Sequence, residues 1–143
     1  MEGDGIIRAS WASTAVFGAV AVLAAATGNR ALEITSAAVS LVLFAAGCVV
    51  FLVAYARAIG RSRTEEVAVA GVYLMMGNSA PRPVRGHLLG SLAAQTVIAL
   101  VTAAIRWPLA FGILVPTLGL ACAGLWTATH GTFPVKTGDR ART

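Results

Sequence analysis

Two histidines, two cysteines and one central glutamine are the side chains with chemistry to offer in a chain of 143 residues of which 57% are hydrophobic. His87 and His130 stand at the ends of two apolar runs, and two imidazoles at one depth are what a bis-histidine haem needs. Each borders a glycine in a loop-like context, the ordinary setting of an interfacial histidine, which weighs against ligation. Cys48 and Cys122 lie at matching positions in their runs, so they share a depth and stand as neighbours or as separate packing residues. Neither CxxC nor a four-ligand zinc spacing accompanies them, and isolated thiols in apolar runs act as small packing groups. Gln95 lies midway along a third run, followed by Thr96 and Thr102. An amide there needs a partner on a facing helix, a bond worth about 1 kcal/mol, and this role outweighs a substrate contact. A phosphate-cradling GxxxxGK[ST] and a nucleophile GxSxG are absent from the sequence. We therefore assign no catalytic residue, cofactor or metal ligand and read the chain as a non-enzyme.

The elements that position these residues follow from composition. Charged residues make up 12% of the chain, whereas a soluble domain carries about a quarter. That excludes a soluble enzyme, a disordered tail and a disulfide-stapled secreted module. The net charge of +5 would suggest nucleic acid in a soluble domain, but the basic residues flank apolar runs and act as topology signals. All basic residues but Lys136 are arginine and alanine fills about a fifth of the chain, a bias that leans towards GC-rich bacterial coding.

Four runs reach bilayer length, near twenty residues at about 1.5 Å each. The expected fold is all-α, a single integral membrane domain over 1–143 with spans at about 10–27, 34–56, 86–105 and 108–128. The first run resembles a signal-peptide h-region, but Glu2 and Asp4 outweigh Arg8 ahead of it, so it is read as a membrane helix. Gly28 to Glu33 make a tight hairpin that sets the first two spans antiparallel. Pro116 should kink the fourth span. Segment 57–85 holds an apolar stretch, Val67 to Met76, too short to cross. It is expected to form a short interfacial helix on the headgroups or on a partner, or equally to fold back on the bundle. Gly77-Asn78 stops it, and Pro81 and Pro83 should forbid helix beyond. A polar tail, 131–143, closes the chain.

Nine basic residues (Arg8, the five arginines of 57–85, Lys136, Arg140 and Arg142) fall on one side, against Arg30 and Arg106 on the other. The positive-inside rule then places both termini and the long segment in the cytoplasm, and Trp11, Trp107 and Trp126 fall at interfaces. No Asp, Glu, Lys, Arg or His lies between Ala9 and Asn29, Ile34 and Ala56, Leu88 and Ile105, or Trp107 and Thr129, which counts against a coupled transporter. Small multidrug pumps share the span count but need a Glu in the first helix, where this chain has only Ser and Thr.

Packing chemistry is what remains. Gly86, Gly90 and Ala94 form one small-residue ridge, Ala15 and Ala19 another, and Gly119 and Ala123 a third. Such stripes let helices approach closely within the chain or with a partner. Arg57, Arg61, Arg63, Val69, Tyr73 and Met76 are the candidates for docking a partner from the long segment.

Four Ala/Val-rich spans, the short outer turns Gly28-Asn29-Arg30 and Arg106-Trp107-Pro108, and an Arg-rich inner segment make the chain similar to small actinobacterial membrane proteins of unknown function. Some of these accompany the supercomplex of cytochrome bc and terminal oxidase as accessory subunits. The resemblance implies a chain without haem or copper ligands, partnered by the lipid bilayer and by other integral membrane subunits. Two function classes follow. One is a non-catalytic accessory or assembly subunit of a hetero-oligomeric inner-membrane complex. The other is a small oligomeric channel, or an uncoupled carrier for a small molecule or lipid.

Overall fold

A computed structural model describes residues 3–137 and shows an all-helical chain. Helix α1 spans Asp4–Thr27, α2 Arg30–Arg61, the short α3 Val69–Tyr73 and α4 Arg82–Ile105. The last rod is composite: a 3-10 helix, Trp107–Leu114, passes into α5, Pro116–His130. Four helical rods are thus long and apolar enough to cross a membrane. Arg140 and Arg142, counted above for orientation, lie outside the described residues, as does the tail beyond Thr137.

The helices overrun the apolar stretches because hydrogen bonding, not hydropathy, sets their ends. Gly28 takes a left-handed φ of 62° and donates its N–H to Ala24 O, closing α1 in a way that only glycine does cheaply. Asn29 then opens α2 by accepting the Ala31 N–H at 2.9 Å. The hairpin between α1 and α2 is therefore two residues, and Arg30 and Glu33 belong to α2. At the other end α2 continues to Arg61, so Arg57 and Arg61 are helical rather than part of a loop.

The expectation that Pro81 and Pro83 bar a helix is corrected. Pro81 caps α4 and Pro83 sits in its first turn, where a missing N–H removes no hydrogen bond. Pro116 has the same role at the start of α5. Its effect falls on the residues before it, which wind as 3-10 over a length well beyond the usual 3–4 residues. Val115 N–H still reaches Gly112 O at 3.0 Å, and Leu118 N–H reaches Val115 O at 2.9 Å, so the junction stays bonded.

The core lies between α1, α4 and α5, with α2 laid against α5 along the most extensive interface of the chain. The close approach is written in glycines that the small-residue ridges do not include. A Cβ on Gly47 would stand 2.9 Å from both Leu118 Cα and N, and one on Gly112 would stand 2.9 Å from the Phe17 ring. The chosen ridges divide. Gly119 and Ala123 are buried at the α4–α5 contact, and Gly90 approaches Trp11. Gly86, Ala15 and Ala19 are exposed, and Ala94 is half-buried.

Candidate functional site

Polar groups collect in two places, one at the centre of the bundle and one at the end that carries the long loop. At the centre, α1 turns Ser10 and Thr14 inward and α4 answers with Ser91 and Gln95, each on its helix's buried stripe. The Ser10 and Ser91 hydroxyls pair at 2.5 Å and link the helices, and Ser91 Oγ also reaches Leu88 O at 3.1 Å. Gln95 Nε2 donates to Thr14 Oγ1 at 2.9 Å, and Thr14 in turn donates to Ser10 O. Every polar atom of this cluster is consumed by a neighbour except Gln95 Oε1, which is buried without a partner. It rests against Gly119, where an added Cβ would lie 2.6 Å away. The arrangement is a hydrogen-bonded seam, with Gln95 completely buried.

Replacing Gln95 with leucine removes one interhelical bond and the orphan oxygen together. The two effects oppose each other, so Gln95→Leu is expected to change unfolding free energy by less than about 1 kcal/mol. Chemical denaturation in detergent followed by circular dichroism checks it.

At the loop-bearing end, Arg61 is the organising residue. Its guanidinium pairs with Glu65 at 2.8 Å and donates to Gly131 O at 2.8 Å, Ala128 O at 3.3 Å and Thr127 O at 3.4 Å. It also lies 4.9 Å from the centre of the Phe133 ring. Those carbonyls are the open end of α5, where the helix dipole is negative and a cation is favoured. Around this clamp the chain after α5 returns across the loop. Thr132 N–H reaches Ser79 O at 3.1 Å, Glu66 N–H reaches Pro134 O at 2.8 Å, and Lys136 N–H reaches Thr64 O at 3.1 Å. The start of the tail, read from sequence as having no order of its own, is held by this pairing as far as it is described.

The apolar stretch folds back on the bundle rather than standing off it. Gly71, Val72 and Tyr73 are buried against α2 and α5. The Tyr73 ring stacks on Phe51 with centroids 4.3 Å apart and planes within 10°. Its hydroxyl donates to Phe51 O at 3.1 Å, and the ring fills the space left by Gly124. Met75 follows with a left-handed φ of 52° and a fully buried side chain. Two of the expected docking residues are thereby corrected: Tyr73 and Arg61 are spent on the chain's own packing. Arg57 is exposed but donates to Thr129 Oγ1 at 2.9 Å, while Arg63, Val69 and Met76 point outward. Tyr73→Phe keeps the stack and loses one hydrogen bond, so it is expected to cost about 1 kcal/mol. Raised cleavage within residues 62–81 on limited proteolysis would accompany that loss.

The opposite end has a smaller clamp. Arg106 donates to Ala25 O at 3.0 Å and lies 3.8 Å from the Glu33 carboxylate, tying the turn after α4 to the α1–α2 hairpin. Sequence reasoning passed over this pair, and it assigned Arg61 to partner docking rather than to a clamp within the chain. The signal available for Arg61 was its spacing, four residues ahead of Glu65.

The histidines and cysteines gather into no site of their own, although Cys122 lies in hydrogen-bond contact with Ser10 of the central cluster. His87 is exposed on α4, and His130 packs on Trp126 with ring centroids 5.5 Å apart. Cys48 and Cys122 are free thiols. Among the described residues no three His, Cys, Asp or Glu side chains come together as a metal site would require.

Comparison with family models, with curated proteins and with solved structures finds no match for this chain.

Proposed function

We propose that the chain is a non-catalytic accessory or assembly subunit of a larger bacterial inner-membrane complex, with both termini and the long loop in the cytoplasm. The observation that carries this reading is the contrast between an interior packed against itself and long apolar helix faces left uncovered. The most apolar stretches of α1, α2 and α4 are only 33, 17 and 28% buried, against 56% for the composite rod. Apolar side chains such as Leu41, Val42, Val49 and Leu52 stand outward along α2. A surface of this kind suits lipid and partner helices, and small residues at Ala15, Ala19 and Gly86 leave room for close contact. The interior supports no transport role as directly, because its hydroxyls and its amide bond to one another.

The host complex is the finer part of the proposal. The sequence resemblance points to the cytochrome bc and terminal oxidase supercomplex, in which this chain would hold no haem or copper. Affinity purification of the tagged chain from its native membrane in mild detergent tests the proposal, with mass spectrometry of copurifying chains and an absorption spectrum of the same fraction. Stoichiometric recovery of a multisubunit complex supports it, and haem bands in that fraction would support the respiratory host. Recovery of the chain alone or as a homo-oligomer defeats it and favours the channel or carrier. In that case Gln95→Leu protein in liposomes should lose flux if the central seam opens as the path.

A further inference from the structure

We propose that the outer side of the α3 segment lies in the cytoplasmic leaflet of a phospholipid bilayer, with Val69 and the last turns of α2 embedded where acyl chains meet headgroups. The proposal rests on the membrane reading above but on no partner complex, so the isolated chain is sufficient to test it.

Three observations carry it. The first is continuity. Leu52, Tyr55 and Ile59 are spaced i, i+3 and i+7, so they share one face of α2, and all three are exposed. That face does not stop with the helix: Tyr55 and Ile59 form one wall of a hollow whose other wall includes Val67 and Val69. Val69 is itself 65% exposed. Apolar surface thus runs from the lipid-facing side of α2 onto α3, whereas a loop surrounded by water would turn polar side chains outward. The second is depth. Helix α2 has 32 residues, about 48 Å at 1.5 Å each, and overreaches a hydrocarbon core of about 30 Å. Counted from Ile34, next to the charged pair of Glu33 and Arg106, about twenty residues fill that core and end near Val53. Tyr55 and Ile59 then stand within about 10 Å of its edge, at the level of the headgroups. The short helix is held at the same level, because Tyr73 stacks on Phe51 and Val72 packs with Ala54 and Ala58. The third is charge. Arg57 and Arg63 are exposed on either side of Ile59 in the chain, and Glu65 is paired with Arg61, which leaves Glu66 as the exposed acid of this stretch. Basic residues beside apolar ones suit an interface in which phosphate groups lie just above the acyl chains, and the Tyr55 ring suits the same layer.

The experiment is electron paramagnetic resonance of the full chain in vesicles of phosphatidylethanolamine and phosphatidylglycerol, with a nitroxide attached at Val69→Cys, Glu66→Cys or Val49→Cys. Each is made in a Cys48→Ala background, where Cys122 is too buried to take the label. If Cys48→Ala does not fold, Cys48→Ser replaces it. All three labelled sites are exposed, so circular dichroism should be unchanged. Collision with oxygen, which concentrates among acyl chains, is compared with collision with a water-soluble nickel chelate. The ratio of oxygen to nickel collisions at Val69 should exceed that at Glu66 on the order of threefold, and the ratio at Val49, within the span, should be higher still. Equal ratios at Val69 and Glu66, with Val49 high, would lift α3 out of the leaflet and overturn the proposal while the membrane reading stands. A ratio at Val49 as low as that at Glu66 would defeat the membrane reading and the proposal with it.

Discussion

Arg61→Ala is expected to destabilise the chain by on the order of 3 kcal/mol and to release the segment after α5 from the loop. Hydrogen bonds to a charged group contribute about 1.5–3 kcal/mol, and Arg61 makes several, two of them long, from a side chain 27% exposed. The loss exceeds that of a surface ion pair, worth about 0–1 kcal/mol, because the carbonyls at Thr127, Ala128 and Gly131 are left without their cation. Denaturation in detergent measures the first effect. Hydrogen exchange at Glu66, Thr132 and Lys136 measures the second, since their amides are the ones that bridge tail and loop. Arg61→Lys should fall between, because an ammonium keeps the charge but not the fork that spans Glu65 and three carbonyls. An alanine variant as stable as the wild type would remove Arg61 from the centre of this end.

Gly47→Val should force α2 away from α5, at a cost of about 1–3 kcal/mol. At Gly47 the obstacle is backbone, Leu118 Cα and N at 2.9 Å, so no rotamer change relieves it. Gly86→Val meets open space and serves as the control. A spin-label distance between Leu41 and Trp107 on the two rods, together with the unfolding midpoint, would show the displacement. If both valine variants unfold alike, helix propensity alone accounts for the loss and the α2–α5 crossing does not depend on Gly47.

The four rods were legible because their apolar runs are long and bounded by Arg30, Arg57, Arg85 and Arg106. The ends were not, since Gly28, Asn29 and Pro81 extend or cap helices by backbone geometry that hydropathy does not register. Gln95 was correctly expected to need a partner on another helix, and Thr14 provides it. Which face of each helix turns inward was harder. In an alanine-rich chain every helix carries small-residue ridges, so Ala15 and Ala19 could not be told from the buried line of Ser10, Thr14 and Phe17. The polar members of that line held the information, because a hydroxyl in an apolar helix seeks the bundle. Gly47 escaped notice since it has no small residue four positions before or after it on a ridge of its own. Arg61 reads from sequence as a docking residue, because only the fold brings the end of α5 beneath it.

Because ribosomes build chains from the N-terminus, the contacts that finish this fold are made last. Helix α2 is synthesised early, yet its main partner is α5, and the loop between residues 62 and 81 is tied to the segment after α5 only when Thr132, Pro134 and Lys136 arrive. Until then the notch at Gly47, which Leu118 of α5 fills, stands open. A transcript cut short after α4 would leave a hairpin and a lone helix with nothing to close them. The molecule therefore carries its own test of completeness, in which arrival of the final rod joins what was made first to what was made last.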